Sequence, residues 1–184
     1  MSNIVIVLAM HGAPPNDFPR DEMAELFGLH ARLEHADGPV QAALQHRHAE
    51  LENRMRLWPR TAKNDPFYAG SQELAVHLGE VTGCKVIVGF NEFCAPSVDQ
   101  ALDYAAAQSP EKIVVITPML TQGGEHAEVD IPNVIRRARQ RHPHTLMVYA
   151  WPFEVSAVAQ FLAAQLTHFI DEGASHRRVF AGLP

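Results

Sequence analysis

Four short apolar runs constrain this chain more than anything else in it: "NIVIVLAM" (3–10), "CKVIVGF" (84–90), "EKIVVITPML" (111–120) and "HTLMVYAW" (144–151). They are rich in Val and Ile and continuous rather than alternating. A strand with one face in water would alternate apolar and polar residues, so these read as strands covered on both faces, as in a parallel sheet. Helical spacing fills the intervals. Tyr68, Leu74, Ala75, Leu78 and Val81 share one face; Val98, Ala101, Leu102 and Ala105 another; Ile131, Val134, Ile135 and Ala138 a third. Val155, Val158, Phe161, Leu162, Leu166 and Phe169 make the last and longest. Strands alternating with helices imply right-handed βαβ units and a sheet with helices on both sides. A length of 184 residues suits a single α/β domain over residues 1–184 with a sizeable core.

The element boundaries carry their own signals. Ser97 in "CAPS" is an expected N-cap, as is Asp130 in "DIPN", with Pro132 in the first turn, where its missing N–H costs little. Gly83 is placed to close a helix before the second strand. Residues 13–66 break the rhythm, because a βα loop usually needs only about two to six residues. Within them, "RDEMAELFGLHARLEH" and "VQAALQHRHAELENRMRLW" both have helical spacing and "DGP" (37–39) divides them. The segment reads as an inserted helical hairpin, with "PRTAKNDP" (59–66) as the return linker. The tail after Gly173 reads as a loose end.

Several function classes are disfavoured. A formal charge of −6, with the 15 basic residues scattered among acids, gives no stripe for nucleic acid. The first apolar run is too short to span a membrane and lacks a preceding positive region, so no membrane association and a cytoplasmic location are expected. Cys84 and Cys94 fit no zinc spacing and make no disulfide framework, which suits a reducing compartment.

The unusual side chains follow the strands. "MHGAPP" after the first brings His11, "NEFCAPS" after the second brings Glu92, and "TQGGEHAEVDIP" after the third brings His126. In open parallel sheets ligands bind beyond the carboxyl ends of the strands, where the strand order reverses. In a flavodoxin-like order of 2-1-3-4, His11 and His126 face each other across that crevice with Glu92 one strand away. Two imidazoles and a carboxylate suit first-row divalent ions better than calcium or magnesium. A set of three leaves coordination positions open, unlike a closed structural site. Glu125 and Glu128 stand between a role at this site and a helix-dipole role, and Asp130 reads as a cap. Met10 and Met119 read as core or pocket lining. His30, His35, His46 and His48 lie in polar helices and read as solvated.

"VLAMHG", "VGFNEFCAPSVDQAL" and "VITPMLTQGGEHAEVDIP" together resemble the short sirohydrochlorin-type, class II chelatases. The shared pattern is His11-Gly12 at a strand end, Glu92 followed by Pro96-Ser97, and Gly124-x-His126 running to Asp130-Ile131-Pro132. It covers residues 1–12 and about 67–150. The resemblance implies a three-layer chelatase-like fold and insertion of a divalent metal, cobalt foremost with nickel and iron as alternatives, into sirohydrochlorin or a related tetrapyrrole. It implies that His11 and His126 hold the metal and help deprotonate the macrocycle, with Glu92 ligating, orienting or relaying. The ion is then a substrate, no organic cofactor is needed, and a homodimer completes the cavity. Arg136, Arg137, Arg139 and Arg141 would help attract the carboxylates of the ring, or else make a solvated helix face. The 13–66 segment has no counterpart in the minimal members. Two other readings are a non-enzymatic metal- or tetrapyrrole-binding protein and a metal-dependent hydrolase.

Overall fold

The computed structural model describes residues 3–33 and 36–170; His35 and the tail after Gly173 lie outside them. The elements run β1 (Ile4–Met10), α1 (Arg20–Leu33), α2 (Gly38–Arg56), α3 (Pro66–Thr82), β2 (Lys85–Phe90), α4 (Val98–Ala106), β3 (Lys112–Ile116), a π-helical turn (His126–Asp130), α5 (Ile131–Arg141), β4 (Leu146–Tyr149) and α6 (Val155–Ile170). The strands form one parallel sheet in the expected order β2-β1-β3-β4. Central β1 pairs on both sides, Val7 opposite Ile87 in β2 and Val115 in β3. The chain divides into two compact units. The first runs to Met119 and resumes over Gly123–Trp151; the second comprises Leu120–Gln122 and the described residues from Pro152.

In the first unit the period-2 geometry of β1 sorts its side chains. Val5, Val7 and Ala9 join Val98, Ala101, Leu102, Ile131, Ile135 and Ala138 in a core under α4 and α5. Leu8 and Met10 join Val88, Phe90 and Ala75 in a second core under α3. Helices thus cover both faces. Continuous burial holds along β1, whereas β3 alternates buried with half-buried positions. β3 also stops at Ile116, short of the expected 120, since Pro118 has no N–H to offer the ladder. The α3 face is narrower than its spacing predicts: Tyr68, Ala75 and Leu78 pack, while Leu74 and Val81 are exposed. Ser97 forms a full capping box with Gln100, and Gly83 ends α3 in the left-handed conformation.

The hairpin has its own small core of Phe18, Leu26, Leu29, Leu51 and Met55. Ion pairs Arg47–Glu25 and Arg54–Glu22 tie α1 to α2. In the second unit α6 forms where predicted, with Phe161, Leu162, Leu166 and Phe169 exposed. No described helix is long and apolar enough to cross a membrane.

Candidate metal centre

The hydrogen bonding between β1 and β2 continues beyond both strands. Asn91 N–H donates to the Met10 carbonyl and Glu92 N–H to the His11 carbonyl, each at 2.9 Å. His11 and Glu92 are thereby set side by side. The close approach requires Gly12: at φ +102°, a Cβ there would lie 2.0 Å from the Glu92 carbonyl oxygen. His126 comes from the neighbouring corner and opens a π-helical turn, a local irregularity often found at functional sites. That turn is pinned twice. Glu128 accepts the Gly123 N–H at 2.7 Å, and the Tyr149 hydroxyl donates to the Ala127 carbonyl at 3.1 Å. Burial pushes the Tyr149 phenol up to about 12, so it remains a donor.

These corners bring together the three residues singled out in the sequence. His11 Nε2 and His126 Nε2 are 3.2 Å apart, and the Glu92 carboxylate lies 4.0 Å from the first and 3.9 Å from the second. The outer ring nitrogens are engaged elsewhere. His11 Nδ1 is 2.8 Å from the Gly12 carbonyl, which can only accept, so Nδ1 carries the proton. His126 Nδ1 is 2.6 Å from Asp130 Oδ2, which assigns its proton in the same way. The Nε2 atoms of both rings therefore face the same point, where an unprotonated ring offers a lone pair. At that separation the two nitrogens either share a proton in a hydrogen bond or hold a cation between them. A tetrahedral ion with bonds of about 2.1 Å would hold its nitrogens about 3.4 Å apart. His11, Glu92 and His126 are also the one group of three or more potential ligands that gathers within 4.8 Å among the described residues.

Asp130 corrects the sequence reading. Its backbone is helical and its side chain makes no capping bond. Four residues apart on one helical run, the 126 and 130 side chains meet, so the carboxylate orients His126 instead, as the outer partners of metal-binding imidazoles commonly do. Glu128 closes the glycine turn, and Glu125 is exposed with no capping bond.

A cavity of about 430 Å³ opens beside the cluster, lined among others by Glu92, His126, Asp130, Asn133 and Arg137. Glu52 and Arg56 of α2 line it too, which the sequence did not indicate. Arg56 donates to the Cys94 and Asn91 carbonyls at 3.2 and 3.0 Å and to Glu52, fixing the hairpin against the Glu92 loop. Of the four α5 arginines only Arg137 lines this cavity. Arg139 donates to the Met147 carbonyl and Arg141 pairs with Asp99 and Asp103. Cys94 is buried and its thiol is pushed up by that burial, so it offers no thiolate here.

The chain is similar to several known proteins. A family model described as CbiX matches residues 64–168, more than half of the chain. A sirohydrochlorin cobaltochelatase of Priestia megaterium is 38% identical over 66 residues, 36% of this chain and 21% of that protein. A sirohydrochlorin ferrochelatase of the same organism is 31% identical over 68 residues, 37% of this chain and 25% of that protein. The match thus spans a quarter or less of either relative. Among solved structures, a CbiX protein of Marinobacter aquaeolei superposes with a TM-score of 0.54 at 15% identity, covering 92% of this chain and 98% of that one, a likeness of fold.

Proposed function

The chain belongs to the CbiX family, and from that premise we propose that it inserts a divalent first-row metal, cobalt foremost, into sirohydrochlorin or a closely related tetrapyrrole. The observation that carries the reading is the pair of facing His11 and His126 Nε2 atoms 3.2 Å apart beside the Glu92 carboxylate. Relatives carry both cobalt and iron in their names, and a His-His-Glu set accepts either ion, so geometry and supply decide between them.

The chemistry follows from charge conservation. The ring must lose two pyrrole N–H protons as it gains a dication. His11 and His126 hold the ion through Nε2, with Glu92 as the third ligand. As the ion passes to the ring nitrogens, both lone pairs are freed and accept the two departing protons. The macrocycle gains two charges and loses two, while the two imidazoles become imidazolium. Asp130 stabilises the new charge on His126 through Nδ1–H, and the Gly12 carbonyl receives the corresponding bond from His11. Side-chain exposures of 47% for His11 and 41% for Glu92 leave the ion open to a planar acceptor. Arg137 on the cavity wall suits a carboxylate of the ring periphery.

The test is absorbance-followed insertion of cobalt(II), and of iron(II) without oxygen, into sirohydrochlorin. His11→Ala and His126→Ala should each lower the rate by about 10²-fold or more. Wild-type rates in both variants would overturn the assignment.

A further inference from the structure

Phe93 follows Glu92 in a backbone conformation that bulky residues avoid, at φ +58°. Arg60 holds it there by donating to the Phe93 carbonyl at 2.5 Å. The result is a phenyl ring beside the metal cluster. Phe93 stacks on the His11 imidazole, with centroids 6.4 Å apart and planes 30° apart. Phe27 of α1 meets Phe93 edge to face, at 6.1 Å and 77°. The two phenyl rings thus extend the His11 ring outward as one aromatic shelf. Packing accounts for half-buried Phe93, which touches both the sheet core under α3 and the hairpin core. It does not account for Phe27, which joins none of the three cores among the described residues and is 48% exposed.

Phe27 and Phe93 border a cavity of about 370 Å³ whose polar lining is His30, His48, Glu52 and Glu92. No lysine or arginine among the described residues lines it. Such a space suits an uncharged aromatic surface and disfavours the carboxylates of a ring periphery. Those carboxylates find Arg137 in the larger cavity, which shares Glu52 and Glu92. A planar acceptor centred on the ion overhangs the ligands, so one part of its face reaches the rings next to His11. Phenyl groups take a π surface by edge or by offset stacking, and this pair offers both orientations.

We propose that Phe27 and Phe93 bind the conjugated face of the macrocycle, so that the hairpin, through Phe27, sets where the ring lies over the His11–Glu92–His126 cluster. The proposal rests on the metal insertion proposed above and names the surface that receives its organic substrate. Glu92 joins the two tasks, because it belongs to the ligand cluster and lines both cavities.

Titration of the metal-free protein with sirohydrochlorin, followed by absorbance, tests the shelf, with insertion kinetics measured alongside. Phe27→Ala should weaken ring binding about tenfold and raise the KM for sirohydrochlorin to match, while cobalt(II) affinity and the KM for cobalt(II) stay within about twofold. Phe27→Tyr keeps the π surface and should bind the ring as the wild type does. Phe27→Leu keeps apolar bulk without that surface and should recover only part. Phe93→Leu, shown to be folded by thermal unfolding, should repeat the selective loss. Unchanged ring affinity in Phe27→Ala overturns the shelf, as does a Phe27→Leu protein that binds as well as Phe27→Tyr. An equal loss of cobalt(II) affinity in Phe27→Ala also overturns it, because the phenyl would then support the ligand cluster and not the macrocycle. If insertion proceeds and Phe27→Ala matches the wild type, only the shelf fails. If the wild type binds sirohydrochlorin but inserts neither cobalt nor iron, the proposed function fails, while a loss of ring binding in Phe27→Ala upholds the shelf.

Discussion

On one side of the main cavity, α4 and α5 lie against the sheet through Val98, Ala101, Leu102, Ile131, Ile135 and Ala138. The fit is so close that a Cβ on Gly89 would sit 2.8 Å from both the Ala101 side chain and the Val98 backbone. On the other side, the hairpin meets the strand-end loops through polar links. Arg60 donates to the carbonyls of Ala13, Met55 and Phe93 and pairs with buried Asp65, whose other oxygen accepts the Tyr68 N–H at the start of α3. His126 stands on the apolar wall, whereas His11 and Glu92 border the polar one. Apolar contact is spread over many atoms and tolerates small changes. A buried guanidinium joining four segments concentrates the same task in one side chain, and a single substitution can undo it.

The largest effect should therefore come from Arg60→Met. It leaves the Asp65 carboxylate, 1% exposed, without its counter-charge, a loss of about 3–5 kcal/mol. At roughly 2–4 °C per kcal/mol for a chain of this size, the melting temperature should fall by about 10 °C. Adding Asp65→Asn removes the orphaned charge while keeping an oxygen for Tyr68 N–H, and should recover part of the loss. A thermal scan that finds Arg60→Met as stable as the wild type would erase the contrast between the two walls.

Asp130 tests the apolar wall without touching its packing. If it orients His126, Asp130→Ala should weaken cobalt(II) binding about 10–100-fold, measured by calorimetry, with little change in melting temperature. Asp130→Asn retains an acceptor for Nδ1–H and should fall between. A helix cap predicts the reverse, a stability loss of about 1 kcal/mol with unchanged affinity. Measuring both quantities on the same variants separates the two roles.

The same two walls differ in how far they can be read from sequence. His11, Glu92 and His126 were legible because each follows a strand, and a parallel order of 2-1-3-4 leaves their corners no other place to go. Asp130 was misread because an acid before Ile-Pro looks the same as a cap or as a partner four residues on. The helical run already begins at His126, so the two side chains stand four apart on one face and meet. Glu52, Arg56, His30 and His48 were legible as helical residues and nothing more. A polar helix face gives no sign of whether it turns to water or to a cavity. That depends on how the hairpin docks, and docking rests on backbone carbonyls of Ala13, Met55 and Phe93 that no side-chain pattern records.

The smallest effect should come from a polar link on the outside of the apolar wall. Asp103 on α4 accepts from Arg141 at 2.9 Å and His142 at 2.7 Å, joining α4 to the end of α5. Burial of this carboxyl works to raise its pKa, but the bonds from His142 and Arg141 outweigh it and hold the group below the usual carboxylate range. Its side chain is 42% exposed, so solvent screens the pair and Asp103→Asn should cost under about 1 kcal/mol. The sign of the pH dependence is fixed by the lowered pKa. The stabilisation is present above the unfolded value of about 3.9 and disappears as pH falls through the folded value. In urea titrations the gap between wild type and Asp103→Asn should hold through mildly acidic pH and narrow below about pH 4, the unfolded value. A gap that persists in acid would mean the link acts through shape rather than charge, making this wall apolar in its energetics even at its rim.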